Sequence, residues 1–181
     1  MTELIYTLSE NGIIQNLTNR SEVHQKRILH LAVQCWIINE AGEILIQRRS
    51  LAKDKSAGKW DVSFGGHCSH TTQTNIQIAN LIKEGNEELG LQISEQDLIK
   101  LGEIRYTSQQ NKNKELLGVY LLKIKNNQQF IFKDKEVMDV MWININTLYN
   151  NMSNNPENYA NRLNSLILLK NYIKIYNTIL N

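Results

Sequence analysis

Residues 83–91, KEGNEELGL, crowd three carboxylates, Glu84, Glu87 and Glu88, into five positions and follow them with Gly90. The spacings 84 to 87 and 84 to 88 are i+3 and i+4, so on a helix all three project to one side. Residues 74–89 carry that helical spacing: Ile78, Ala79, Ile82, Gly85 and Leu89 share one face, and Gln77, Asn80, Glu84, Glu87 and Glu88 share the opposite one. Gly90 then stands where a helix ends. The carboxylates lie near the negative end of the helix dipole, with Lys83 as the one local cation. Each i+4 like-charge pair costs about 0.2–0.5 kcal/mol. A bound divalent cation would turn that repulsion into ligation, and Mg²⁺ prefers carboxylate, water and phosphate oxygens. An acidic run also suits an ordinary solvated helix face. What sets this one apart is the preceding WDVSFGGH, residues 60–67, a short strand ending in a glycine pair. Strand, loop and acidic helix thus bring bare backbone opposite carboxylates.

Outward from this unit, LIYTLSENGIIQNLTN near the start reads as a β-hairpin around Glu10-Asn11-Gly12. Residues 21–29 read as a connector or short helix. Two dense β-type runs, 30–38 and 43–48, flank Asn39-Glu40-Ala41-Gly42 as a second hairpin, and their apolar continuity places them inside a sheet. Residues 50–60 read as a loop. Further strands are expected at 99–107, 115–125 and 138–143, with a turn at Asn126-Asn127. Asn155-Pro156, holding the chain's one proline, reads as the cap and first position of a long helix over 157–179. Its Leu163, Leu166, Ile167, Leu169 and Ile173 are placed to face the sheet. With no repeat, linker or composition break, the expectation is one α/β domain over 1–181. Its core would span 28–150, its N-terminal hairpin and connector 1–27, and its terminal helical segment 151–181, with helices on both sides of a mixed sheet.

The chain has 181 residues, 41% hydrophobic and 21% charged, with a net charge of +2. That gives length enough for a core and no global basic field of the kind nucleic acid demands. No apolar run is long enough to span a bilayer, and the first residues lack the basic-then-apolar pattern of a signal peptide. Cys35 and Cys68 form no CxxC pair, so reduced thiols in a cytoplasmic protein are expected.

The spaced motifs resemble the Nudix hydrolase signature, G-x5-E-x7-R-E-U-x-E-E-x-G-U with U a bulky aliphatic. Lys83 to Leu91 match its second half, and Gly66 starts its first. QRRSLAKDKSAGKWDVSFGGH is further similar to the Nudix branch that holds isopentenyl-diphosphate isomerase and its hydrolase relatives, and the likeness runs over roughly residues 3–145. The expected fold is therefore a Nudix-like α/β/α sandwich with an N-terminal hairpin and a long C-terminal helix. Departures are visible. Sixteen residues separate Gly66 from Lys83 where the pattern has thirteen, Asn75 stands where the pattern has its first Glu, Lys83 replaces Arg, and Gly85 replaces the aliphatic. A mid-helix glycine costs about 1 kcal/mol relative to alanine, which points to a looser or reshaped loop with weakened activity as one outcome.

The resemblance implies Mg²⁺-dependent hydrolysis, with Mn²⁺ as the alternative ion, of a diphosphate linkage in a nucleoside diphosphate derivative or related small molecule. It implies Glu84, Glu87 and Glu88 as metal ligands beside the Gly66 carbonyl, and Glu136 as the carboxylate brought toward water, with Glu115 as a second candidate. Arg48, Arg49, Lys53, His67 and Lys83 are candidates for substrate contact. Arg48 and Arg49 are adjacent on a strand, so only one is expected to reach the site. The isomerase alternative holds a metal through three histidines and acidic residues, and His24, His30, His67 and Glu115 lie at comparable places. Its cysteine, however, falls where this chain has Gly65, and a glycine transfers no proton. A third reading is a ligand-binding module with decayed catalysis. Trp36, Trp60, Tyr106 and Trp142 are weighed for base stacking, with core packing favoured for most of them. Nucleic acid and membrane are not expected as partners, and the N-terminal hairpin and final helix each offer a surface for a homodimer.

Overall fold

The computed structural model describes residues 3–108, 113–133 and 135–180. Nine strands among them form one mixed sheet: β1 (Leu4–Leu8), β2 (Ile14–Asn19), β3 (His30–Ile38), β4 (Glu43–Arg49), β5 (Trp60–Asp61), β6 (Phe64–His67), β7 (Leu98–Ser108), β8 (Asn113–Lys123) and β9 (Val137–Asn144). The expected N-terminal hairpin is present, with β1 antiparallel to β2 and Gly12 at φ +81° in the turn. β3 pairs in parallel with β8 along its whole length, from His30↔Glu115 to Ile38↔Lys123. On its other edge β3 pairs with β4 only at Ile37↔Leu45 and Ile38↔Ile44; β6 then takes the place beside it from Cys35↔Phe64 to Ala32↔His67. β4 continues against β5 and β9. β3 and β4 therefore diverge, and a cleft opens at their splayed ends.

Alternation along β3 divides the core in two. Leu31, Val33, Cys35 and Ile37 pack with Leu81 and Leu89 of α2 (Ile76–Leu89). Ala32 and Trp36, on the other face, pack with Leu148 and Met152 of α3 (Ile145–Asn154) and with Leu166 and Leu169 of α4 (Leu163–Leu180). Trp36, 1% exposed, is thus a core residue. The result is the expected α/β/α sandwich. A short helix, α1 (Arg20–Lys26), fills the connector, capped by the Asn19 side chain and pinned by buried Val23.

Two expectations about the final third need correction. The long helix begins at Leu163, not at 157: Asn155-Pro156 opens a short 3₁₀ turn over Pro156–Asn158, and the chain then runs extended, Tyr159 bridging Trp60 in parallel. That strand-like contact, with Ala160 N–H donating to the Trp60 carbonyl at 2.8 Å, halts the helix the proline would have started. The segment ahead of it is itself helical, α3, started by the Asn144 side chain accepting from Asn146 and Thr147 amides. Its asparagines are poor helix formers, but Ile145, Leu148, Tyr149 and Met152 stand at i, i+3, i+4 and i+7, and burial of Leu148 and Met152 supplies the stability that propensity lacks. Ile167 is 37% exposed and does not face the sheet as expected, whereas Leu166 and Leu169 are fully buried.

Candidate active site

α2 starts at Asn75, whose side chain accepts from the Ile78 amide at 3.3 Å, and ends at Gly90, at φ +70°. The wheel drawn from sequence assigned its apolar and polar sides to opposite faces. In the fold, much of the polar side is turned inward: Gln77, Asn80 and Glu88 are buried along with Leu81, Gly85 and Leu89. Each inward polar group finds a partner. Tyr120 Oη donates to Gln77 Oε1 at 2.8 Å, Ser69 N–H donates to Asn80 Oδ1 at 3.0 Å, and Gln47 Nε2 donates to Glu88 Oε2 at 2.8 Å. A Cβ on Gly85 would meet Ile93 Cδ1 at 2.4 Å and the Phe64 ring at 3.2 Å. The mid-helix glycine therefore lets α2 sit tightly against Ile93 and the sheet residue Phe64.

This seating carries the carboxylates to the glycine pair. A Cβ on Gly66 would meet the Glu84 carboxyl carbon at 2.7 Å, so Glu84 rests directly on the Gly66 backbone. Glu84 and Glu87 line a cleft of about 840 Å³ together with Gly66, Lys53, Lys83 and Glu136. The Glu84 side chain is 13% exposed and that of Glu87 48%. Burial, opposed by Lys83 and reinforced by Glu87, pushes the Glu84 carboxyl up to about 7, and burial with the Glu84 charge beside it raises Glu88 well above the usual range. Lys83 lies 3.5 Å from Glu84 and 3.4 Å from Glu87; part burial works against its charge, but those two carboxylates outweigh it and raise its pKa. Hard oxygen donors this crowded fit a divalent cation such as Mg²⁺.

The cationic side of the cleft follows from the β4–β5 edge. Alternation along β4 puts Arg49 on the side of Gln47, in the cleft, where Nη1 donates to Asp61 Oδ2 at 3.1 Å. Arg48 is exposed, outside the cleft lining, and donates Nε to the Gly58 carbonyl, so of the two expected arginines only Arg49 reaches the site. Lys53 pairs with Glu136. Arg162, which the sequence reading did not single out, donates Nε to Asp61 Oδ1 at 2.8 Å. Burial alone would raise the Asp61 carboxyl, but Arg162 and Arg49 outweigh it and hold it below its ordinary value. The signal for Arg162 lies in the tertiary bridge from Tyr159 and Ala160 to Trp60, not in any local motif.

A second cluster assembles beside the first. His24 of α1, His30 of β3 and His67 of β6 each offer a ring nitrogen, all within 4.8 Å of one another. Glu115 of β8 joins them, with Oε1 3.6 Å from His67 Nε2 and 3.8 Å from His30 Nε2. Asn113 Nδ2 donates to the same carboxylate at 2.6 Å. His30 Nδ1–H donates to the Ile28 carbonyl at 2.9 Å, which fixes its tautomer and leaves Nε2 as a lone pair. His24 Nε2 and His30 Nε2 are buried with no hydrogen-bond partner among the described residues. Burial and the neighbouring rings lower His24 to about 3 and His30 to about 4, so both are neutral at pH 7, the form that binds metals. The His67 ring and Arg162 outweigh burial and hold Glu115 well below the carboxylate range. Lys55 Nζ stands 3.4 Å from His24 Nδ1 at the mouth of this cluster. Cys68 and Cys35, by contrast, are fully buried free thiols whose pKa burial raises.

The family model for the NUDIX domain matches residues 28–163. The chain belongs to the Nudix family. Among curated Nudix relatives, an isopentenyl-diphosphate Δ-isomerase of Citrobacter koseri is 28% identical over 158 residues, 85% of this chain and 84% of that one. An uncharacterized Nudix hydrolase of Clostridium acetobutylicum is 28% identical over 136 residues, 72% of this chain and 64% of that one. Among solved structures, DR0079 of Deinococcus radiodurans superposes with a TM-score of 0.71 at 19% identity, covering 93% of this chain and 98% of its own. A Caenorhabditis elegans Ap4A hydrolase superposes with a TM-score of 0.56 at 16% identity, covering 80% of this chain and 97% of its own. The departures from the Nudix signature have local explanations. Asn75, in the place of the first Glu, caps the helix; Lys83, in the place of Arg, sits on two of the carboxylates; and Gly85 seats the helix. Among the described residues, no helix is long and apolar enough to cross a membrane.

Proposed function

We propose that this Nudix protein hydrolyses a diphosphate linkage of a small-molecule substrate with Mg²⁺, or Mn²⁺ in its place. The observation that carries this reading is Glu84 resting on the Gly66 backbone, in a cleft that also holds Glu87, Lys53 and Glu136. Glu84, Glu87, Glu88 and the Gly66 carbonyl would hold the cation. When bound, it supplies charge neutralisation at the phosphate oxygens and favours water as a nucleophile. The protein's own groups do the rest. Arg49, Lys53 and Lys83 offer donors to the diphosphate, with Arg49 held in place by Asp61. Glu136, paired with Lys53, stands at the cleft to take a proton from the attacking water. His67 borders both clusters and orders the glycine pair.

One observation favours a second reading. His24, His30, His67 and Glu115 form a ready nitrogen-and-carboxylate donor set of the kind the isomerase branch uses for its metal. Position 65 weighs against isomerase chemistry. A side chain there would place its Cβ 2.5 Å from the Val33 carbonyl and 2.8 Å from Gln34 Cα, so no thiol fits where proton transfer would need one. The imidazole centre then serves as a second cation site beside the first. The test is incubation with Mg²⁺ and a panel of nucleoside diphosphate derivatives, dinucleotides and isopentenyl diphosphate, followed by phosphorus and proton NMR. Cleavage between phosphates supports the hydrolase. Double-bond migration without phosphate release, or tight binding with no turnover of any substrate, refutes it.

A further inference from the structure

Gln34 lies in the middle of β3, opposite Gly65 of β6 and Val119 of β8, and is 1% exposed. It alternates with Ala32 and Trp36 onto the face covered by α3 and α4. Neither atom of its carboxamide, Nε2 or Oε1, has a partner among the described residues. An amide offers two donor hydrogens and an acceptor oxygen, and burying both ends unpaired destabilises a fold that a methionine of similar shape would not. Gln34 also lines the cleft, one strand over from the Gly65-Gly66-His67 run that meets Glu84. Trp36 Nε1 is likewise unpaired but lies outside the cleft lining, where no ligand reaches it. Asn113, also in the cleft lining, leaves its Oδ1 unpaired as well. Bare Gly65 leaves the sheet without a side chain at that register position, so Gln34 is what β3 presents beside it.

We infer that Gln34 is a specificity-determining residue whose carboxamide pairs with a hydrogen-bonding group of the moiety next to the diphosphate, so that this position discriminates against substrates whose second moiety is a hydrocarbon. The inference rests on the diphosphate reading above and narrows it. A ribose diol or base edge presents donor and acceptor together and satisfies both ends of the amide. A hydrocarbon chain leaves them buried and unpaired, and sites built to hydrogen-bond reject such analogues strongly.

The test needs no turnover. Calorimetry measures α,β-methylene-ADP and inorganic pyrophosphate binding, each with Mg²⁺, to the wild-type chain and to Gln34→Met, alongside the thermal midpoint of each ligand-free protein. Gln34→Met is expected to weaken methylene-ADP about tenfold to a hundredfold and to leave pyrophosphate within about twofold, with an unchanged or higher midpoint. Equal effects on both ligands, no effect on methylene-ADP, or wild-type binding of methylene-ADP no tighter than pyrophosphate overturns the inference. So does a lowered midpoint, which would mean that the amide is already satisfied inside the protein. Failure of the wild type to hydrolyse any diphosphate refutes the hydrolase reading and leaves this binding contrast standing.

Discussion

Gly65 and Gly66 are neighbours in one strand, yet the structure predicts opposite consequences for the same substitution. At Gly65 an added methyl meets backbone: the Val33 carbonyl at 2.5 Å, Gln34 Cα at 2.8 Å, and then Gln34 Cβ at 3.0 Å. None of these moves without parting β3 from β6, so Gly65→Ala is expected to cost about 1–3 kcal/mol or more, as overpacking does. For a chain of this size that is a fall in thermal midpoint of about 2–4 °C per kcal/mol. At Gly66 the three atoms nearest the methyl all belong to the Glu84 carboxylate, at 2.7 to 3.0 Å. That group can rotate away, so Gly66→Ala is expected to keep its stability within about 1 kcal/mol, as substitutions clear of the core do. The displaced carboxylate no longer meets the Gly66 backbone, and kcat/KM is expected to fall at least about 100-fold, the scale of a misplaced metal ligand. Urea unfolding of both variants, with pyrophosphohydrolase kinetics of Gly66→Ala, checks the pair. A Gly65→Ala protein as stable as wild type, or a Gly66→Ala protein with wild-type kinetics, refutes the packing argument.

Glu87→Gln, at a half-exposed carboxylate, should abolish turnover without changing the urea midpoint; unchanged kinetics would remove Glu87 from the metal site. Asp61 bonds Arg162 and Arg49 while 5% exposed, and Asp61→Asn is expected to cost about 3–5 kcal/mol at neutral pH, as breaking a buried pair does. Its folded pKa is depressed, so the pair's contribution is present above the ordinary aspartate pKa of about 4 and is lost as pH falls through the lowered folded value. Wild type should therefore lose stability in acid more steeply than Asp61→Asn, and parallel acid limbs would contradict this. His30→Ala should abolish transition-metal retention, read by elemental analysis after dialysis, while Mg²⁺ binding measured by calorimetry persists; retained metal would show that the imidazoles do not form a site.

Legibility followed the length scale of the causes. α2 and its acidic end could be read locally because spacing, a capping asparagine and a terminal glycine act within a few residues. The start of α4 was misplaced, because Asn155-Pro156 is a sound local helix signal overridden by a strand contact to Trp60 nearly a hundred residues away. α3 was not read from the sequence, although Ile145, Leu148, Tyr149 and Met152 stand at helical spacing within its asparagine-rich run. Glu84, Glu87, Glu88 and Gly66 were proposed from motif and spacing, and the structure brings Glu84, Glu87 and Gly66 to one cleft with Glu88 buried behind them. Arg162 and Gln34 carry no such pattern: one acts through Asp61, the other through the absence of a partner.

The sequence alone determined the α/β class, the N-terminal hairpin, the acidic helix and the family likeness, since hydrophobic period, turn residues and motif spacing are properties of neighbours in the chain. Only the tertiary structure decided which side of α2 faces inward, which of two adjacent arginines enters the cleft, and that three histidines from three elements converge with Glu115. Those outcomes depend on how β3, β4 and β6 diverge, and such long-range register is fixed by packing across the whole sheet.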